Sequence, residues 1–175
     1  MSNVRAHAMT SAARLVLEDC RQEILELEPT LSASEWRRHS VTLFVLLRAL
    51  GHVLDKVDGE SALGLRHEVN AWWKKINQNK EAHPLFWKFI ELERNSVIKE
   101  YATSAHQIVA IQVGAVNYDA KADRVWSDPP QPTRYLQQLT SGHFAGQDLR
   151  TIANEAIQWW ENQLNEIELG AKNAL

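Results

Sequence analysis

The chain has almost no cysteine, little glycine or proline, no excess of charge of either sign and no long apolar run. Its one cysteine, Cys20, has no partner for an internal disulfide, which excludes a disulfide-stapled scaffold and fits a reducing cytoplasm. Seven glycines and five prolines among 175 residues form no phosphate-cradling loop, and neither GxSxG nor HExxH occurs. A net charge of −3 sets up no global basic field, so a nucleic-acid site would have to be local. The longest apolar stretch, Val41 to Leu54, is interrupted by Thr42, Arg48 and His52 and is too short and polar to span a bilayer. Met1 to Ala13 lacks the apolar core of a signal peptide. A soluble cytoplasmic domain with no membrane partner is expected.

What is present is an ordinary globular composition, 45% hydrophobic and 23% charged, with seven tryptophans. Leu17, Cys20, Ile24 and Leu27 recur at helical spacing within a first helix from about Ser11 to Glu28. Ser32-Ala33-Ser34-Glu35 has capping-box spacing and opens a second helix to about Val57. That helix is apolar nearly all round, with Leu43, Leu47, Leu50 and Leu54 on one side and Val45, Leu46, Ala49 and Val53 on others. Leu65, Val69, Trp72 and Ile76 mark a third helix, and His83-Pro84 opens a fourth that the pattern carries to Ala110. From Gln112 to Gly146 the helical period fails. Ile111, Val113 and Ala115 alternate and Val125-Trp126 follow, which suggests a short hairpin, with a stiff loop at Asp128 to Pro132. Asp148 then caps a last helix whose inward residues are Leu149, Ile152, Ala156, Trp160, Leu164 and Ile167.

The expected fold is all-α: a bundle of about five helices with a short irregular or β-hairpin insertion before the C-terminal helix. One domain spans residues 1–175, with a core at 11–110, the insertion at 111–146 and the final helix at 147–169.

The fourth helix places Phe86, Ile90, Val97, Tyr101, Ala105 and Ile108 inward, and Arg94 falls in that stripe between Ile90 and Val97. At about 100° per residue, Arg94 and Tyr101 point the same way, two turns apart. A guanidinium stays charged and is costly to bury unpaired. It is therefore either answered by an interior acid, for which Asp55, Asp58 and Glu18 are candidates, or directed to a cleft that binds an anion. On the second helix Arg48, His52 and Asp55 follow i, i+4, i+7 spacing and form a polar seam. In one reading His52 is an acid/base oriented by Asp55, with Arg48 adding positive charge for substrate. In the other, Asp55 simply answers Arg48 or Arg94.

The segment from Phe89 through Arg94-Asn95 to Lys99-Glu100-Tyr101 resembles the HEPN superfamily. These are helical bundles whose motif is an arginine, a polar residue and, after a few positions, a histidine. The resemblance implies a homodimer in which two motif copies form one metal-independent ribonuclease site. It implies that Arg94 contacts the scissile phosphate and Asn95 helps position it. It also implies an RNA-directed protein of a bacterial or phage conflict system, with a cognate antitoxin-like partner. Lys99, Glu100 and Tyr101 hold the places where the family has histidine, so Lys99, Tyr101 or His52 would have to exchange the proton. Lysine and tyrosine, with pKa values near 10, need large shifts to do so.

The rival class is a non-catalytic helical oligomerisation or interaction module. A more remote one is a magnesium-dependent all-α nucleotide pyrophosphatase, from Glu23-x-x-Glu26 and Asp55-x-x-Asp58. The histidines show no ligand spacing and Cys20 stands alone, so no metal or cofactor site is assigned. The tryptophan pairs Trp72-Trp73 and Trp159-Trp160 are expected to place one ring in the core and one at its rim.

Overall fold

Leu17, Cys20 and Ile24 are all buried on α1 (Ser11–Glu26), the first of the helices that the apolar periodicity produces. The computed structural model describes residues 9–28, 31–110, 116–119, 124–127 and 134–173. Among these, five helices and two antiparallel ladders follow one another along the chain.

Helix α2 (Ala33–Val53) starts on the expected capping box: the Ser32 hydroxyl accepts from the Glu35 N–H while the Glu35 carboxylate accepts from the Ser32 N–H. It runs on through a π-type turn at Leu54–Asp58 and a last turn at Gly59–Ser61. Leu43, Leu47, Leu50 and Leu54 are fully buried, whereas Val45 stays 41% exposed, so the helix is central on one side only. Helix α3 (Leu63–Gln78) follows, and α4 occupies 85–100 as a π-type turn, Leu85–Ile90, continued by Glu91–Glu100. Helix α5 (Leu149–Asn173) is capped by Asp148, whose carboxylate accepts from the Thr151 N–H.

The core is one apolar cluster joining all five helices. Trp72 and Trp160 meet inside it at 5.6 Å between rings, while Trp73 is 40% exposed and Trp159 half-buried, as the paired-tryptophan pattern predicts. The Trp160 indole N–H donates to the Leu47 carbonyl, and Gly51 lets that ring lie close: a Cβ there would stand 3.1 Å from it. The start of α1 is held from a distance. Asp58, 3% exposed in the π-type turn, accepts from the N–H groups of Ala12 and Ala13 at 3.0 and 2.8 Å, satisfying two of the donors a helix start leaves open.

Two expectations about α4 are corrected. First, the helix ends at Glu100, not Ala110. Tyr101 turns left-handed (φ 50°), and the buried Glu93 carboxylate accepts from the Thr103 hydroxyl and from both the N–H and hydroxyl of Ser104. These side-chain bonds offer the backbone an alternative to further helical turns. Ala105 and Ile108 therefore belong to a strand, and Tyr101, 64% exposed, is not an inward residue. Second, the place between Ile90 and Val97 in the buried stripe is filled by Glu93; Arg94, one residue on, lies half-buried at the helix edge.

The insertion is a nested hairpin. Strand β1 (Ala105–Ala110) pairs with β4 (Arg134–Leu139), and between them β2 (Val116–Asp119) pairs with β3 (Arg124–Ser127), opposing Asn117 to Trp126. The outer ladder is tied to the bundle by Gln107 and Gln137, which donate to the carbonyls of Leu31 and Leu27. Ile111, Val113 and Ala115 and the proline loop at Asp128 to Pro132 lie outside the described residues.

Asp58→Ala should lower stability by about 2 kcal/mol, and Asp58→Asn by less because one acceptor oxygen remains. Urea denaturation of the two variants measures this difference.

Candidate functional site

Helices α2 and α4 lie side by side and bring together Arg48 and His52 from one, and Glu91, Arg94 and Asn95 from the other. The polar groups form a chain. Arg48 Nε donates to Glu91 Oε2 at 2.5 Å, Asn95 Nδ2 donates to Glu91 Oε1 at 3.2 Å, and Arg94 Nη1 donates to Asn95 Oδ1 at 2.8 Å. Glu91 is thus the one carboxylate, shared between an ion pair with Arg48 and an amide relay to Arg94. Two guanidiniums and one carboxylate leave the chain with an excess positive charge. Among the described residues no carboxylate forms an ion pair with Arg94, whose partner is a neutral amide.

Burial pushes the Glu91 carboxyl upward, but the hydrogen bond and charge of Arg48, the Asn95 amide and the charge of Arg94 together hold it below the usual carboxylate range. The His52 imidazole is held below its ordinary value, first by partial desolvation and then by repulsion from Arg48 and Arg94; Glu91 and Asp55 pull the other way with less effect. It is therefore a largely neutral imidazole at neutral pH, set beside two fixed cations and open to solvent.

The acids proposed as partners of Arg94 are all engaged elsewhere. Asp55 accepts from Arg66 Nη1 at 2.6 Å and pairs with Lys56 at 2.9 Å. Those hydrogen bonds lower its pKa, and it neither orients His52 nor answers Arg48 or Arg94. Asp58 caps α1, and Glu18 pairs with Arg21 on its own helix. The carboxylates of the two acidic pairs do not converge either: Glu23 accepts from His39, while Glu26 is exposed on the outer face of α1. Among the described residues no group of three histidine, cysteine or acidic side chains could hold a metal ion.

Lys99 and Tyr101 are not brought to Arg94. Lys99 is exposed on the last turn of α4, five residues and roughly 140° around the helix from Arg94, and Tyr101 has left the helix. Of the expected residues, Arg48, His52, Arg94 and Asn95 gather and Lys99 and Tyr101 stand apart. The residue that organises the set, Glu91, was not anticipated. Its signal was local: it lies one helical turn before Asn95, where an i, i+4 amide–carboxylate bond forms readily.

Beside this chain lies a pocket of about 420 Å³ that shares Arg48 and His52 with it and is walled by Trp72, Trp73 and Phe86. Both π-type turns border it, Asp55 and Lys56 from one and Phe86 from the other. Such turns recur at functional sites because the extra residue re-aims the side chains that follow. No protein-family model, curated protein or solved structure matches the chain.

Because the folded pKa of Glu91 is depressed, its contribution to stability is present above the usual carboxylate range and is lost as pH falls through that range to its folded value. Glu91→Gln should therefore lower Tm near pH 7 by several degrees, and the gap to the wild-type should close as pH falls below the usual carboxylate range. Calorimetry across that range checks it.

Proposed function

We propose that this chain is an RNA-directed protein that holds a phosphodiester at Arg94, with His52 as the group that exchanges protons. The observation that carries this is the Arg94 guanidinium, half-buried, bonded among the described residues to the Asn95 amide and to no carboxylate, and beside a neutral imidazole. A cation held by an amide keeps its charge available, and a planar guanidinium suits the oxygens of a phosphate. Asn95 fixes the guanidinium's orientation through Glu91.

The likeness of the Arg94-Asn95 segment to the HEPN motif supports the same assignment and supplies the chemistry. Neutral His52 takes the proton of a ribose 2′-hydroxyl, whose oxygen attacks phosphorus as the bond to the 5′-oxygen breaks. The products are a cyclic phosphate and a 5′-hydroxyl that takes its proton from water. Arg94 stabilises the charge that gathers on the phosphoryl oxygens. No metal is needed for this sequence of events. We infer from the same likeness that a second copy of the chain covers this face. Val45 is three residues before Arg48 and Ile98 is four after Arg94, and both are exposed, at 41% and 58%.

Arg94→Ala should weaken binding of a short single-stranded RNA by about ten-fold or more, and Tyr101→Phe should leave it unchanged. Wild-type affinity should rise as pH falls below about 6.5, because His52 gains a charge beside a ligand that does not titrate there. His52→Ala should abolish that rise and any metal-independent cleavage. Fluorescence anisotropy against pH, with a gel assay of the same strand, reads both. Equal binding by wild-type and Arg94→Ala would remove the assignment.

A further inference from the structure

The phosphodiester assignment leaves the neighbouring 420 Å³ pocket unused. One wall is aromatic. Trp73 lies 6.0 Å from Trp72 and meets Phe86 edge-on at 6.0 Å and 74°. Trp72 and Phe86 are closed into the core, at 6% and 0% exposed, whereas Trp73 keeps 40% of its surface open. Trp73 is thus packed against two core rings while part of its own ring remains available for contact.

The rest of the lining is polar and charged, which separates this pocket from a simple greasy cavity. Arg48 stands 5.7 Å from the centre of the Phe86 ring and bonds Glu91 through its Nε, so among the described residues its terminal nitrogens donate to no carboxylate. Gly51 leaves the floor beside them bare, since a Cβ there would already stand 3.5 Å from Arg48 Nη1. Asn70 is exposed at the rim and brings an amide donor and an amide acceptor. The acid that lines the pocket, Asp55, is paired with Arg66 and Lys56 and forms no ion pair with Arg48.

A flat ring with hydrogen-bonding edges fits this combination: stacking satisfies the indole, and edge groups satisfy the guanidinium and the amide. A saturated apolar ligand would use neither the terminal nitrogens of Arg48 nor the Asn70 amide. Arg48 and His52 line the pocket and also border Arg94, and one sugar separates a base from its own phosphate. We propose that the pocket takes one unpaired nucleobase of the strand whose phosphate lies at Arg94, stacked on Trp73 and met at its edge by Arg48 and Asn70. The proposal rests on the phosphodiester assignment and narrows it to single-stranded RNA, because a base inside a duplex has no free face to offer.

The test compares a short single-stranded RNA with an abasic ribose-phosphate strand of the same length, each titrated calorimetrically into the full chain. The RNA should bind about ten-fold more tightly than the abasic strand. Trp73→Ala should erase that difference while leaving the abasic affinity unchanged. Asn70→Ala, at an exposed rim position that does not support the core, should reduce the difference a few-fold, and circular dichroism confirms the fold of both variants. Arg94→Ala should weaken both strands in parallel. Equal affinity for RNA and abasic strand in the wild-type, or an undiminished difference in Trp73→Ala, overturns the pocket assignment and leaves the phosphate site standing. RNA binding that depends on Trp73 but not on Arg94 overturns the phosphate site and keeps the pocket. No binding of either strand overturns both.

Discussion

A single carboxylate, Glu91, sits between two guanidiniums and answers only one of them directly. Its second oxygen goes to an amide, and that amide holds the other arginine. Buried charges are ordinarily matched in number, because an unmatched one is costly away from water. Here the mismatch is tolerated at a half-exposed helix edge, where solvent or a bound anion can complete the balance. The depressed pKa of His52 is partly the same excess positive charge seen from a neighbouring ring. The chemistry assigned to this face follows from that imbalance.

The fold supports the imbalance by committing Asp58, Asp55 and Glu93 to other partners. Asp58 is committed to the start of α1, Asp55 to Arg66 and Lys56, and Glu93 to the chain that leaves α4. Each of these carboxylates does structural work that holds it away from Arg94. The two π-type turns matter in the same way. They lie where α2 and α4 border the aromatic pocket, and they offset the side chains on either side from a regular helical register. The charged chain and the pocket are thus neighbours through Arg48 and His52, one helical turn apart on α2.

Much of the architecture was legible in the sequence, since it rests on long apolar periodicities. The Ser32 capping box, the Asp148 cap, the leucine stripe of α2 and the inward face of α5 all depend on local spacing. What misled was periodicity carried too far. A strict 3.6-residue count through 84–110 put Arg94 in the stripe and Tyr101 beneath it. The π-type turn at Leu85–Ile90 and the capture of Thr103 and Ser104 by Glu93 break that count, and neither follows from hydrophobic spacing. The gathering of Arg48, His52, Arg94 and Asn95 was within reach because each pair sits on one helix. The choice of Glu91 over Asp55 as the partner of Arg48 was not, since it depends on how two helices cross.

The central claim is that Arg94, which has no carboxylate partner among the described residues, meets a phosphodiester, while Arg48 is already held by Glu91 through its Nε. Arginine side-chain NMR signals, followed while an abasic ribose-phosphate strand is added, address it directly. The account predicts that the Arg94 guanidinium signals shift and sharpen with saturation and that those of Arg48 move little. Binding of the strand with Arg94 unmoved would contradict it.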